Sequence, residues 1–125
     1  MDSHKPVLML AVLACGDGKG SMKLSDLVQF FRSFYADRCS RGLIVEKPNS
    51  LYCREDMTDK EIERNILANP FKRFEDMQMM RHTKTLSIVE VDNSLWKRLT
   101  EEEKAEIRGI CEEKLEGYYR RLEAK

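Results

Sequence analysis

Apolar residues crowd first into Val7-Leu8-Met9-Leu10-Ala11-Val12-Leu13-Ala14. A helix that is apolar on every side must be buried around most of its circumference, so this run predicts the central helix of the domain. Ser3 stands where an N-cap belongs, with Pro6 in the first turn, and the Gly-rich stretch from Gly16 to Gly20 ends the helix. Leu27, Phe30, Phe31 and Phe34 then recur at helical spacing and predict a second helix from about Ser25 to Arg38. Leu43-Ile44-Val45 reads as a short strand or an extended link, Pro48-Asn49-Ser50 as a turn, and Leu51 to Met57 as a loop.

Thr58-Asp59-Lys60-Glu61 has the capping-box pattern and opens a short helix with Ile62, Ile66 and Leu67 inward. Asn69-Pro70 breaks it, because the residue before a proline avoids the helical region. Phe71 to Met80 predicts another short helix. Leu86 to Val91 alternates, with Val89 and Val91 on one face and Ile88 and Glu90 on the other, which predicts a strand paired in a hairpin with Met80 to Lys84. Leu95-Trp96 suggests a helical turn. Thr100-Glu101-Glu102-Glu103 is a second capping box, opening a final helix whose inner stripe is Ile107, Ile110, Cys111, Leu115, Tyr118 and Leu122. Tyr118, Tyr119 and Leu122 look like more apolar surface than one core can cover, which leaves a protein-interaction or homodimer role as the alternative function.

The predicted fold is α+β: mainly helical and winged-helix-like, with a small β-hairpin and a long C-terminal helix. It forms a single domain over 1–125, with a core of about 3–98 and the last helix over about 100–124. A chain of 125 residues with 42% hydrophobic residues supports one such core. The apolar run is far short of the ~20 residues a membrane span needs, and no cleavage site follows it, so the expected location is cytoplasmic, with no membrane partner. Cys15, Cys39, Cys53 and Cys111 are scattered and read as reduced thiols.

Twenty-two basic and twenty-two acidic residues cancel, which excludes a wholly basic nucleic-acid binder. Locally the balance differs: residues 70–84 hold four Lys and Arg against two acids, whereas residues 100–125 hold six against eight. Lys72, Arg73, Arg81, His82 and Lys84 thus form a basic segment suited to phosphate contact. The start of the first helix, with His4 and Lys5, is a second place where an anion is favoured.

Other chemistry fits less well. Gly16-Asp17-Gly18-Lys19-Gly20-Ser21 lacks the spacing of a phosphate loop and follows a helix. The Cys and His residues are too dispersed for zinc, and no His stands ready beside a Cys nucleophile. Glu46-Lys47, Glu90 and Asp92 do not form the carboxylate cluster of a metal-dependent nuclease and read as surface charges near strand ends. The expectation is a non-enzyme without cofactor or metal.

His4-Lys5-Pro6 followed by the apolar helix resembles the helix opening of the sulfur-binding domains of type IV restriction endonucleases, which recognise phosphorothioate-modified DNA. Asn69-Pro70-Phe71-Lys72-Arg73-Phe74 is similar to their Tyr-Pro-Phe segment, with Asn69 in place of the Tyr, and Leu95-Trp96 matches a later Leu-Trp. The resemblance spans about His4 to Trp96. It implies that His4 and Lys5 approach the DNA backbone and that Pro70 lines an apolar notch for sulfur. It further implies a DNA-binding accessory module of a bacterial restriction or DNA-defence protein, attached to a larger parent or to a nuclease or helicase partner.

Overall fold

A computed structural model describes residues 2–124. Six helices and three strands follow one another as α1 (His4–Cys15), β1 (Ser21–Lys23), α2 (Leu24–Ser40), α3 (Asp59–Ala68), α4 (Pro70–Asp76), β2 (Met80–Thr83), β3 (Ile88–Val91), α5 (Asn93–Arg98) and α6 (Glu101–Glu123). The strands form one antiparallel sheet in the order β1-β3-β2. Helices first, then a hairpin closed by an early strand, make a winged-helix-like α+β fold, with α6 laid across it.

α1 is the centre of the core. Val7, Leu8, Ala11 and Val12 are all buried, in one cluster with Leu27 and Phe31 of α2, Ile62 and Ile66 of α3, Phe71 of α4 and Leu115 of α6. Each such side chain contributes about 1.5–3 kcal/mol through removal from water. Both capping boxes form: the Thr58 hydroxyl accepts from the Glu61 amide at 3.2 Å and the Thr100 hydroxyl from the Glu103 amide at 3.1 Å. Val89 and Val91 turn inward, as the alternation predicts.

Several local expectations change. Of the two readings of Leu43-Ile44-Val45, the link is the one formed, and the third strand of the sheet is Ser21–Lys23, which the sequence pattern does not predict and whose Met22 pairs with Val89. Three residues with no strand pattern of their own become a strand only because β3 offers a free edge. Leu51–Cys53 forms a single 3-10 turn. α4 stops at Asp76 rather than Met80, where Gln78 takes a left-handed φ of 60° and sends the chain into β2. Leu86 belongs to the hairpin turn and is exposed. On α6 Cys111, Leu115 and Tyr118 are buried as the stripe predicts, Tyr119 joins them, and Ile110 is instead 52% exposed. The tyrosines therefore supply no surplus apolar surface for a partner.

The glycines of the Gly16–Gly20 stretch have a packing role. Trp96 of α5 lies across them, so that a Cβ on Gly20 would stand 2.7 Å from the indole and one on Gly16 3.0 Å away. Gly20 also has φ +79°, the region that disfavours side chains. Gly18, by contrast, has open space around it.

Among the described residues no helix is long and apolar enough to cross a membrane. All four cysteines are free thiols, Cys39 and Cys53 exposed and Cys111 buried.

Candidate functional site

The start of α1 sits on a buried polar cluster. Ser3 is the N-cap residue, but its hydroxyl does not cap the helix. It bonds the Tyr35 hydroxyl at 2.6 Å and donates to the Glu46 carboxylate. Glu46 is also buried, contrary to the expectation of a surface charge, and four groups donate to it. They are the Ser3 amide (3.1 Å), the Ser3 hydroxyl, the Tyr118 hydroxyl and its neighbour's amide at Lys47 (3.1 Å). One carboxylate thereby ties together α1, the 41–58 link and α6.

His4 lies beside this cluster, only 6% exposed, with its ring edge-on to Tyr52 at 5.2 Å and to Tyr35 at 6.3 Å. Its Nδ1 is 3.4 Å from Asp2 and its Nε2 3.9 Å from Glu46, yet neither nitrogen has a hydrogen-bond partner. Burial pushes its pKa below the ordinary 6.5, against the pull of Asp2 and Glu46. The expected approach of His4 to a DNA backbone does not match this position, because the ring faces the interior. The amides of the N-cap residue and of the first helical residue are also taken: Ser3 N donates to Glu46 and His4 N to Asp2 at 3.0 Å. The chain's own carboxylates occupy the place where an external anion was expected.

Immediately outside this corner is a cleft of about 630 Å³. Lys5, Pro6 and Met9 of α1 form one wall, Asn69, Arg73 and Phe74 at α4 the second, and Ile107, Ile110, Cys111 and Lys114 of α6 the third. Its floor is apolar and its rim carries three cations. Among the described residues, Lys5, Arg73 and Lys114 have no ion-pair partner. The acid at the mouth, Asp2, is engaged by the His4 amide and by the Asn69 side chain at 3.5 Å. With the Asp2 carboxylate counted against them, the three unpaired cations still leave the cleft net positive, a local anion-attracting field in a chain of zero net charge.

Of the residues singled out from the sequence, the cleft gathers Lys5 and Arg73. Pro70 is fully buried as the first residue of α4, so it underlies the surface and lines no open notch. Lys72 points away from the cleft's rim toward acids of its own helix, at 2.9 Å from Asp76 and 3.5 Å from Glu75. Arg81 reaches across the hairpin to Glu90 at 3.7 Å, and His82 is half-buried with its ring edge-on to Phe71 at 6.2 Å. Lys84 is exposed on the hairpin turn. Asp92 caps α5 through the Leu95 amide at 3.1 Å. Among the described residues no three Cys, His, Asp or Glu side chains are grouped to hold a metal.

Lys114 was not foreseen from the sequence. Its signal was present: 107, 110 and 114 fall on one face of α6, so a lysine there borders the apolar stripe rather than the solvated side. No family model matches the chain, and neither a curated protein nor a solved structure matches it.

Proposed function

We propose that this protein is a non-catalytic DNA-binding module of the kind that serves bacterial restriction and DNA-defence proteins, holding the phosphate backbone at the cleft. The convergence of Lys5, Arg73 and Lys114, unpaired over one concavity, carries the reading. A guanidinium matches two phosphate oxygens at once, and the two lysines act as flanking point charges. Lys84 on the hairpin turn adds a further contact. Lys72 and Arg81 are held only by solvent-exposed pairs that water and salt screen, so exchanging those acids for phosphates costs little.

The cleft suits this role better than α3, the longer helix ahead of the hairpin. α3 carries Asp59, Glu61 and Glu63 against Lys60 and Arg64, a poor charge for entering a groove.

Fluorescence anisotropy with a labelled duplex at 50 and 200 mM salt tests the proposal. The three cleft cations alone predict roughly a 40-fold loss of affinity over that range, from a slope of about −0.9 per phosphate, and a fourth contact at Lys84 raises it to roughly 150-fold. Lys5→Gln, Arg73→Gln and Lys114→Gln should each flatten the slope by about one such contact. A phosphorothioate-containing duplex run alongside tests for sulfur preference. Absence of binding to any of these DNAs at tens of micromolar, or binding indifferent to salt, overturns the proposal.

A further inference from the structure

We propose that the cleft receives an unpaired nucleotide, with its phosphate on the cationic rim and its base on the apolar floor. This rests on the DNA-binding reading and narrows it. A phosphate alone needs cations; it does not need a floor of Pro6, Met9, Phe74, Ile107 and Ile110 beneath them. In a paired duplex the bases offer only their edges, and their flat apolar faces are hidden in the stack. Those faces become available in a single strand, a bulge or an extruded nucleotide, which binders hold by packing apolar and aromatic side chains on the base.

The cleft has the dimensions and groups for this. Its volume of about 630 Å³ lies within the ~300–1,000 Å³ of small-ligand sites. Ile110, 52% exposed on α6, is apolar surface that the fold itself leaves uncovered. At the mouth stand Asp2, an acceptor held in place by the His4 amide, and Asn69, which both donates and accepts. Two such groups beside an apolar slot suit the hydrogen-bonding edge of a base. α6 thus supplies Ile107 and Ile110 of the apolar floor and the third cation.

The test compares five probes by anisotropy or competition: a dT12 single strand, a duplex with one bulged nucleotide, the same duplex fully paired, free dTMP, and an acidic Glu/Leu helical peptide. Ile107 and Ile110 methyl resonances are followed in parallel by NMR. The single strand and the bulged duplex should bind about tenfold or more tightly than the paired duplex, the scale of one base packed on side chains. Both methyls should shift with those two probes. Ile110→Ser, at a half-exposed site where folding tolerates the change, should bring the affinities for the single strand and the bulged duplex to within about twofold of the paired duplex measured with the same variant. Lys84→Gln should weaken all three DNAs equally.

Equal affinity for all three DNAs, with unmoved isoleucine methyls, overturns this inference and leaves backbone binding standing. Micromolar binding of dTMP without any strand preference also overturns it, because the site would then serve a free nucleotide. Methyl shifts caused by an acidic Glu/Leu helical peptide and by no oligonucleotide would assign the cleft to a protein partner. Failure of every DNA to bind removes both readings together.

Discussion

Replacing Glu46 by Ala is the sharpest test of how the start of α1 is held. The substitution removes the acceptor for the Ser3 amide, the Ser3 hydroxyl and the Tyr118 hydroxyl. The Ser3 hydroxyl keeps Tyr35 as a partner, and the Lys47 amide lies nearer solvent. Two buried donors are therefore left without an acceptor, at about 1–3 kcal/mol each, with a cavity in addition. The expected loss is about 3–5 kcal/mol, a large part of the ~5–15 kcal/mol that stabilises a domain. Glu46→Gln keeps the volume but must turn its amide nitrogen toward one of two sets of donors, and should cost about 1.5–3 kcal/mol. Tyr118→Phe removes one donor only and should cost about 1–2 kcal/mol. Urea unfolding followed by the fluorescence of Trp96, the single tryptophan, measures all three. A Glu46→Ala protein within 1 kcal/mol of the parent, at unchanged denaturant dependence, refutes the argument.

Gly20→Ala should destabilise by about 1–3 kcal/mol, since it combines a left-handed φ with collision against Trp96, while Gly18→Ala should be neutral; thermal unfolding of the pair decides. His4 is buried with a lowered pKa, so below the ordinary 6.5 the unfolded chain takes up a proton that the folded chain resists. Stability from this residue is therefore whole above about pH 6.5 and falls as pH drops toward the lowered folded value. Unfolding midpoints from pH 7.5 to 5 should decline in the parent and decline less in His4→Phe; equal slopes would show that His4 is not the group responsible.

Much of the fold was legible because its signals are local. Thr58 and Thr100 mark helix starts through chemistry contained in four residues, and the alternation of Ile88 to Val91 shows its inward face directly. β1 was illegible for the opposite reason: Ser21-Met22-Lys23 has no strand character until β3 lies beside it. Glu46 was misread because burial of a carboxylate depends on donors 43 residues before it and 72 after it, at Ser3 and Tyr118. The candidate site shows the same division. Lys5 and Arg73 stood out in their segments, whereas Lys114 acquires its place only when α6 packs beside α1. His4 and Pro70, prominent as motif residues, are interior groups that shape the corner the cations occupy.

The carboxylate that joins Ser3 to Tyr118 has a topological consequence. It brings the first turn of α1 and the Tyr118 turn of α6 to one corner, so positions close to both ends of the described chain are tied to the same buried carboxylate. Such a domain can be seated as a guest within a longer chain by a short entry and a short exit, and a permuted order of its elements needs only a brief connection between those ends. The cleft borders that corner, so a neighbouring domain fused there would overhang whatever the cleft binds.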